Sequence, residues 1–153
     1  MSKVAIILII VLGAAVYANS LGGAFVWDDK DLIEDNTHIR SPGGIIRIFS
    51  RGVRSGAGKT SSAYRPLQIL TYAGDYLFWK LNPQGYHLTN VALHILAALA
   101  LYWLANALFG NGLLSLFAAL LFVAHPLHTG VVSYISGRAD ALGALFVFSG
   151  FAL

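Results

Sequence analysis

Tyr86 to His128 read YHLTNVALHILAALALYWLANALFGNGLLSLFAALLFVAHPLH, and they lie inside a run from Leu81 to Gly137 without one Asp, Glu, Lys or Arg. Those 57 residues are too long for one membrane span and suit two joined by a turn, since about 20 apolar helical residues cross the hydrocarbon of a bilayer. NALFGNG (Asn106 to Gly112) supplies the break: Gly110, Asn111 and Gly112 are turn formers. This reading predicts a span over residues 89–108 and a shorter one over 113–125, an apolar run whose length also suits a re-entrant segment.

The rest of the chain agrees in kind. Of 153 residues, 57% are hydrophobic and 11% charged, with a mean hydropathy of +0.68. A soluble domain carries about 25% charged residues. Residues 4–24 hold no charge and follow Lys3, which reads as a signal anchor; VYAN (Val16 to Asn19) leaves a cleaved signal peptide as the rival. On either reading the material after Trp27 lies outside the cytoplasm. A fourth apolar run occupies residues 140–153 and continues to Leu153, which reads as an interrupted span in a fragment of a longer chain. The expectation is an all-α, multi-pass bundle of about four spans, embedded in lipid, with a long outer loop over residues 25–88. The net charge of +3 and pI near 9.3 do not imply nucleic acid as a partner, because acids are interleaved with the basic residues. With no Cys there is neither a disulfide framework nor thiolate chemistry.

The outer loop holds eight Lys or Arg and six Asp or Glu. Positive-inside counting applies to short loops, and long segments translocate regardless of charge, so this composition is compatible with an outer position. GIIRIFSRGVR (Gly44 to Arg54) reads as an interfacial helix with Arg47, Arg51 and Arg54 on its basic face, for headgroup anchoring or for capture of a lipid-linked phosphate. YRPLQILTYAGDYLFW (Tyr64 to Trp79) reads as a second amphipathic helix, with Pro66 in its first turn. GAGKTS (Gly56 to Ser61) mimics a phosphate-binding loop but has Val53 where that motif requires Gly.

Four polar features stand out. Asp28 and Asp29 adjoin the first span, where they either mark the water boundary or poise one carboxylate as a base. His87, Asn90 and His94 form one polar stripe entering the second span, suited either to interhelical hydrogen bonding or to a site. His125 and His128 in HPLH, with Arg138 and Asp140 in SGRAD, share the connection predicted to face the same water as Asp28. Two His at i, i+3 without a certain third ligand are a weak metal signal. Arg65, before Pro66, presents a planar fork suited to phosphate or carboxylate.

FVWDD, YRPL, YHLTNVALH and HPLHTGVVSYISGRAD, in this order, resemble the protein O-mannosyltransferase-like integral membrane glycosyltransferases of the C superfamily. The resemblance is greatest to the branch that carries tetratricopeptide repeats, and it covers essentially the whole chain. It implies transfer of a sugar from a polyprenyl-phosphate donor to an acceptor hydroxyl of a polypeptide, on the non-cytoplasmic face, without cofactor or divalent metal. The membrane would be the plasma or inner membrane in a prokaryote and the endoplasmic reticulum in a eukaryote. Asp28 and Asp29 match the catalytic acidic motif. Arg65, His125, His128, Arg138, Asp140, His87, Asn90 and His94 are the candidates for holding donor phosphate and substrate. Gly130 departs from the family, which usually carries Glu there, and so removes a charge from the expected site. A fragment lacking the remaining spans and the repeats is expected to be inactive alone. The competing expectation is a non-catalytic multi-span protein or degenerate homologue with an assembly role, and a small transporter is a third.

Overall fold

The computed structural model describes residues 2–153, and among them every regular element is helical. The chain divides into two units, one made of Met1–Leu21 with His87–Leu153 and the other of Gly22–Tyr86.

In the first unit, α1 (Lys3–Val16) packs against α5 (Gly112–Ala124), and Ala5 and Ile9 share a core with Ala98, Tyr102, Ala119 and Val123. Small residues permit the close approach: a Cβ on Gly13 would come within 2.6 Å of Ile95 and 2.9 Å of Val123. The apolar run at the start of the chain does not continue as one helix through residue 24. It stops at Val16 and resumes as a 3-10 turn over Ala18–Gly22. Gly22 and Gly23 follow Asn19 and Ser20 here, residues with little helix propensity.

Helix α4, after α2 (Gly44–Ser50) and α3 (Pro66–Trp79) of the other unit, runs Pro83–Phe109 and starts six residues before the predicted span. Asn82 opens it, its Oδ1 accepting from the Gln84 N–H at 3.2 Å, and Pro83 suits the first turn. Gly110, at φ +62°, ends it in the left-handed conformation that glycine adopts readily. Asn111 then caps α5 (Gly112–Ala124), accepting from the N–H groups of Leu113 and Leu114 at 3.1 Å. The FGNG break therefore falls where the sequence places it. Pro126 bends the chain by 46° into the segment that ends with α6 (Thr129–Val132), and α7 (Arg138–Ala152) completes the unit.

Of the expected spans, α4 alone is long and apolar enough to cross a membrane by itself; α5 meets that test only when taken together with its continuation across the 46° bend. Helices α1 and α7 have 14 and 15 residues. Val4, Ile7, Val11, Phe117 and Leu121 are all more than half exposed.

The Gly22–Tyr86 unit covers most of the predicted outer loop and has a core of its own, in which Leu32, Ile33, Ile39, Ile48, Ile69 and Tyr72 are buried. Helix α2 corrects the predicted basic helix, which stops at Ser50. Arg51 is extended at φ −136° and ψ 163°, and the Val53 N–H donates to the Ala63 carbonyl at 2.9 Å. Arg54 is therefore not on one helical face with Arg47 and Arg51. Gly44 is obligatory at the start of α2, because a Cβ there would collide with the backbone carbonyl of His38.

His38 is buried at 7% exposure, and its N–H donates to Asn36 Oδ1 at 2.9 Å. Burial, together with the charges of Arg47 and Arg51, holds its pKa below the ordinary 6.5. The unfolded chain therefore binds the proton more readily, so this contribution to stability is complete above about pH 6.5 and declines as the pH falls through the folded value. Urea unfolding of the Gly22–Tyr86 unit within the whole chain in detergent, read by hydrogen exchange, should show a midpoint that drops between pH 7 and 5. His38→Gln should flatten that dependence.

Candidate functional site

The acidic motif sits on a tight reversal. Phe25 is fixed edge-on against Tyr86, with ring centroids 5.3 Å apart. Trp27 follows at φ +48°, a left-handed conformation that costs a bulky residue on the order of 1–2 kcal/mol. Trp27 is 83% exposed, so packing does not explain its posture. Asp29 does: it is fully buried, its N–H donates to the Val26 carbonyl at 3.0 Å, and its Oδ2 accepts from the Val26 N–H at 3.1 Å. Both bonds close the turn around Trp27.

Asp28 occupies a different environment. Its carboxylate is about half exposed and accepts from Arg54 Nη2 at 2.6 Å. It lines a cavity of about 130 Å³ with Arg54, Arg65, Ser61, Leu32 and Val53. Two residues predicted from sequence, Asp28 and Arg65, thus share one cleft. Asp31 and Lys59 were missed by the sequence reading. Asp31 is buried and accepts from Lys59 Nζ at 2.6 Å, with Arg54 Nε 3.9 Å from its other oxygen. The signal available was spacing, since residues three apart share a helical face. The lysine of the GAGKTS loop is thereby committed to Asp31.

The remaining predicted residues lie in the other unit. Asn90 is fully buried and ties α4 to the α6–α7 connection. Its Nδ2 is 3.2 Å from the carbonyls of Tyr134 and Ile135, while its Oδ1 accepts from Arg138 Nε at 2.7 Å. Arg138 itself is fully buried, so it holds the helices together through Asn90. His94 Nε2 is 3.3 Å from the Val123 carbonyl, and its ring stacks on Phe122 at 5.1 Å. His128 Nδ1 lies 2.8 Å from the Phe122 carbonyl, and the rings of His94 and His128 meet edge-on at 5.1 Å. His125 is exposed, and its Nδ1 accepts from the Leu127 N–H. His87 is buried at 2% exposure, and Asp140 is exposed in the first turn of α7. Among the described residues no group of three or more His, Asp or Glu is placed to hold a metal ion.

Comparison with known proteins gives a consistent answer. The chain is 40% identical over 141 residues to the protein O-mannosyl-transferase tmtc2 of Xenopus laevis, an alignment covering 88% of this chain and 16% of that protein. It is 35% identical over 147 residues to TMTC3 of Mus musculus, covering 94% and 16%. To the protein O-mannosyl-transferase F38B6.6 of Caenorhabditis elegans it is 32% identical over 147 residues, covering 92% and 21%. Over nearly its whole length the chain is similar to protein O-mannosyl-transferases. It spans about a sixth of the length of the first two relatives. No family model matches the chain, and no solved structure matches it significantly.

A Cβ on Gly130 would meet nothing within 4 Å, so the backbone there has room for the Glu that the motif resemblance leads one to expect. The Asn90–Arg138 pair allows a direct test. Asn90→Leu deprives a buried guanidinium of an acceptor, and should destabilise the helical unit by on the order of 2–3 kcal/mol. Thermal unfolding in detergent should show this loss, and an unchanged midpoint would deny the pair its fastening role.

Proposed function

We propose that the chain forms part of a longer multi-pass membrane enzyme that transfers a mannosyl residue from a polyprenyl-phosphate donor to a Ser or Thr hydroxyl of a polypeptide, on the non-cytoplasmic face. The names of the relatives support sugar transfer to protein. Their greater length supports the longer enzyme. The apolar surfaces of α1 and α5 and the length of α4 support a lipid-embedded bundle in which α1, α4, α5 with its bent continuation, and α7 are the spans.

The observation that carries the chemical reading is the shared cleft of Asp28 and Arg65. In the transfer, the acceptor oxygen attacks the anomeric carbon as the bond from that carbon to the phosphate oxygen breaks. The bonding electron pair leaves with the phosphate, and the hydroxyl proton passes to Asp28. The transition state has oxocarbenium character, and glycoside hydrolysis needs a second carboxylic acid to protonate its leaving oxygen. Phosphate leaves as a stable anion, so one base and a cation suffice. Asp28 has the solvent access that a base requires, and Arg65 is the exposed fork at the start of α3. Buried Asp29 supports Asp28 by closing the turn.

Asp28→Asn in the complete protein should reduce transfer by 10²-fold or more, within the range general-base catalysis contributes, while insertion and abundance stay normal. Measured transfer of labelled mannose at the unmodified rate would remove Asp28 from the reaction. A non-catalytic assembly protein would show no transfer in either form.

A further inference from the structure

Arg54 is the group nearest the proposed base, and it poses a chemical problem. A carboxylate oxygen engaged by a guanidinium at 2.6 Å has a strong charge-assisted hydrogen bond to give up before it can meet the proton of an incoming hydroxyl. The partner that would keep Arg54 elsewhere is already satisfied: Asp31 has Lys59 at 2.6 Å, whereas Arg54 Nε is 3.9 Å away. The cavity beside Asp28 is lined by two guanidinium groups, Arg54 and Arg65, against that one carboxylate, with the Ser61 hydroxyl as a further polar group. Its charge balance favours an anion, and guanidinium forks match phosphate oxygens in geometry.

We propose that Arg54 is a phosphate-binding residue of this cleft and that it exchanges partners during the reaction. It pairs with Asp28 while the cleft holds no phosphate, and it pairs with the phosphate when a polyprenyl-phosphate sugar binds. Donor binding thereby frees the Asp28 carboxylate to accept the proton of the attacking hydroxyl. No bond forms or breaks in the exchange, which transfers only an ion pair. The inference rests on the proposed function for the identity of the anion, and on the Arg54–Asp28 geometry for the competition.

Competition has a consequence that a fixed structural ion pair lacks. Removing the carboxylate should strengthen phosphate binding even though it abolishes transfer. The complete protein in detergent micelles would be titrated with a polyprenyl phosphate, and separately with inorganic phosphate, in the unmodified, Asp28→Asn, Arg54→Gln and Arg54→Lys forms. The expected result is several-fold tighter binding of polyprenyl phosphate by Asp28→Asn, about tenfold weaker binding by Arg54→Gln, and partial recovery in Arg54→Lys. The same ranking with inorganic phosphate places recognition in the phosphate group; its absence with inorganic phosphate alone shows that the lipid chain is also required for the exchange.

Unchanged or weaker binding by Asp28→Asn, in a variant whose thermal unfolding matches the parent, would overturn the exchange. So would unchanged binding by Arg54→Gln. If the complete protein transfers no sugar yet shows the binding ranking, the proposed reaction fails and the phosphate site stands. If it transfers sugar without that ranking, the reaction stands and the exchange fails.

Discussion

The hydrogen bond from Arg138 to Asn90 is the contact on which the order of the helical unit depends. A guanidinium with no exposed surface is tolerable only where its donors meet acceptors, because the cost of desolvating an unpaired charge exceeds any packing gain. Asn90 supplies one such acceptor from α4, and its amide reaches the carbonyls where the chain turns between α6 and α7. One side chain therefore joins groups 44 to 48 residues away. The hydrophobic contacts among α1, α4 and α5 favour association, but they are non-directional, and the amide adds direction.

The same need for partners explains the histidines. His94 and His128 reach carbonyls of Val123 and Phe122, close to where Pro126 interrupts the helical hydrogen-bond ladder. Their rings pack on Phe122 as well. These two imidazoles thus meet carbonyls at the end of α5. Charge chemistry is concentrated in the Gly22–Tyr86 unit, where Asp28, Asp31, Arg54 and Lys59 form an ion-pair chain beside Arg65.

What could be read from sequence and what could not divide along physical lines. Charge exclusion and turn chemistry are local properties, so the FGNG break, α5 and the end of α4 emerge within one residue of their observed bounds, while the start of α4 lies six residues earlier, at Pro83. The family resemblance rests on short motifs, and relatives at 32–40% identity bear it out. The Gly22–Tyr86 unit was not legible as a folded body, because its core draws single apolar residues from several short turns without a sustained period. The early end of α2 was hidden for a similar reason: i, i+4 spacing places Arg47 and Arg51 together only while the helix persists, and the hydrogen bond from Val53 to Ala63 draws the chain out of it. Arg54 consequently looked like a member of a basic face, when its partner lies 26 residues earlier.

The two adjacent aspartates show how one backbone constraint separates two chemically identical side chains. A reversal at Trp27 with positive φ turns Asp29 back onto Val26, where it is fully buried, and leaves Asp28 about half exposed at the cleft. A carboxylate fixed by backbone N–H bonding is held stationary and out of reach, whereas a base must meet an incoming hydroxyl. Exchanging their roles would require the turn to reverse, which would forfeit the bonds that offset the strain at Trp27. The pair is therefore asymmetric by construction: Asp29 holds the geometry, and Asp28 alone has access to both the solvent and the cations of the cleft.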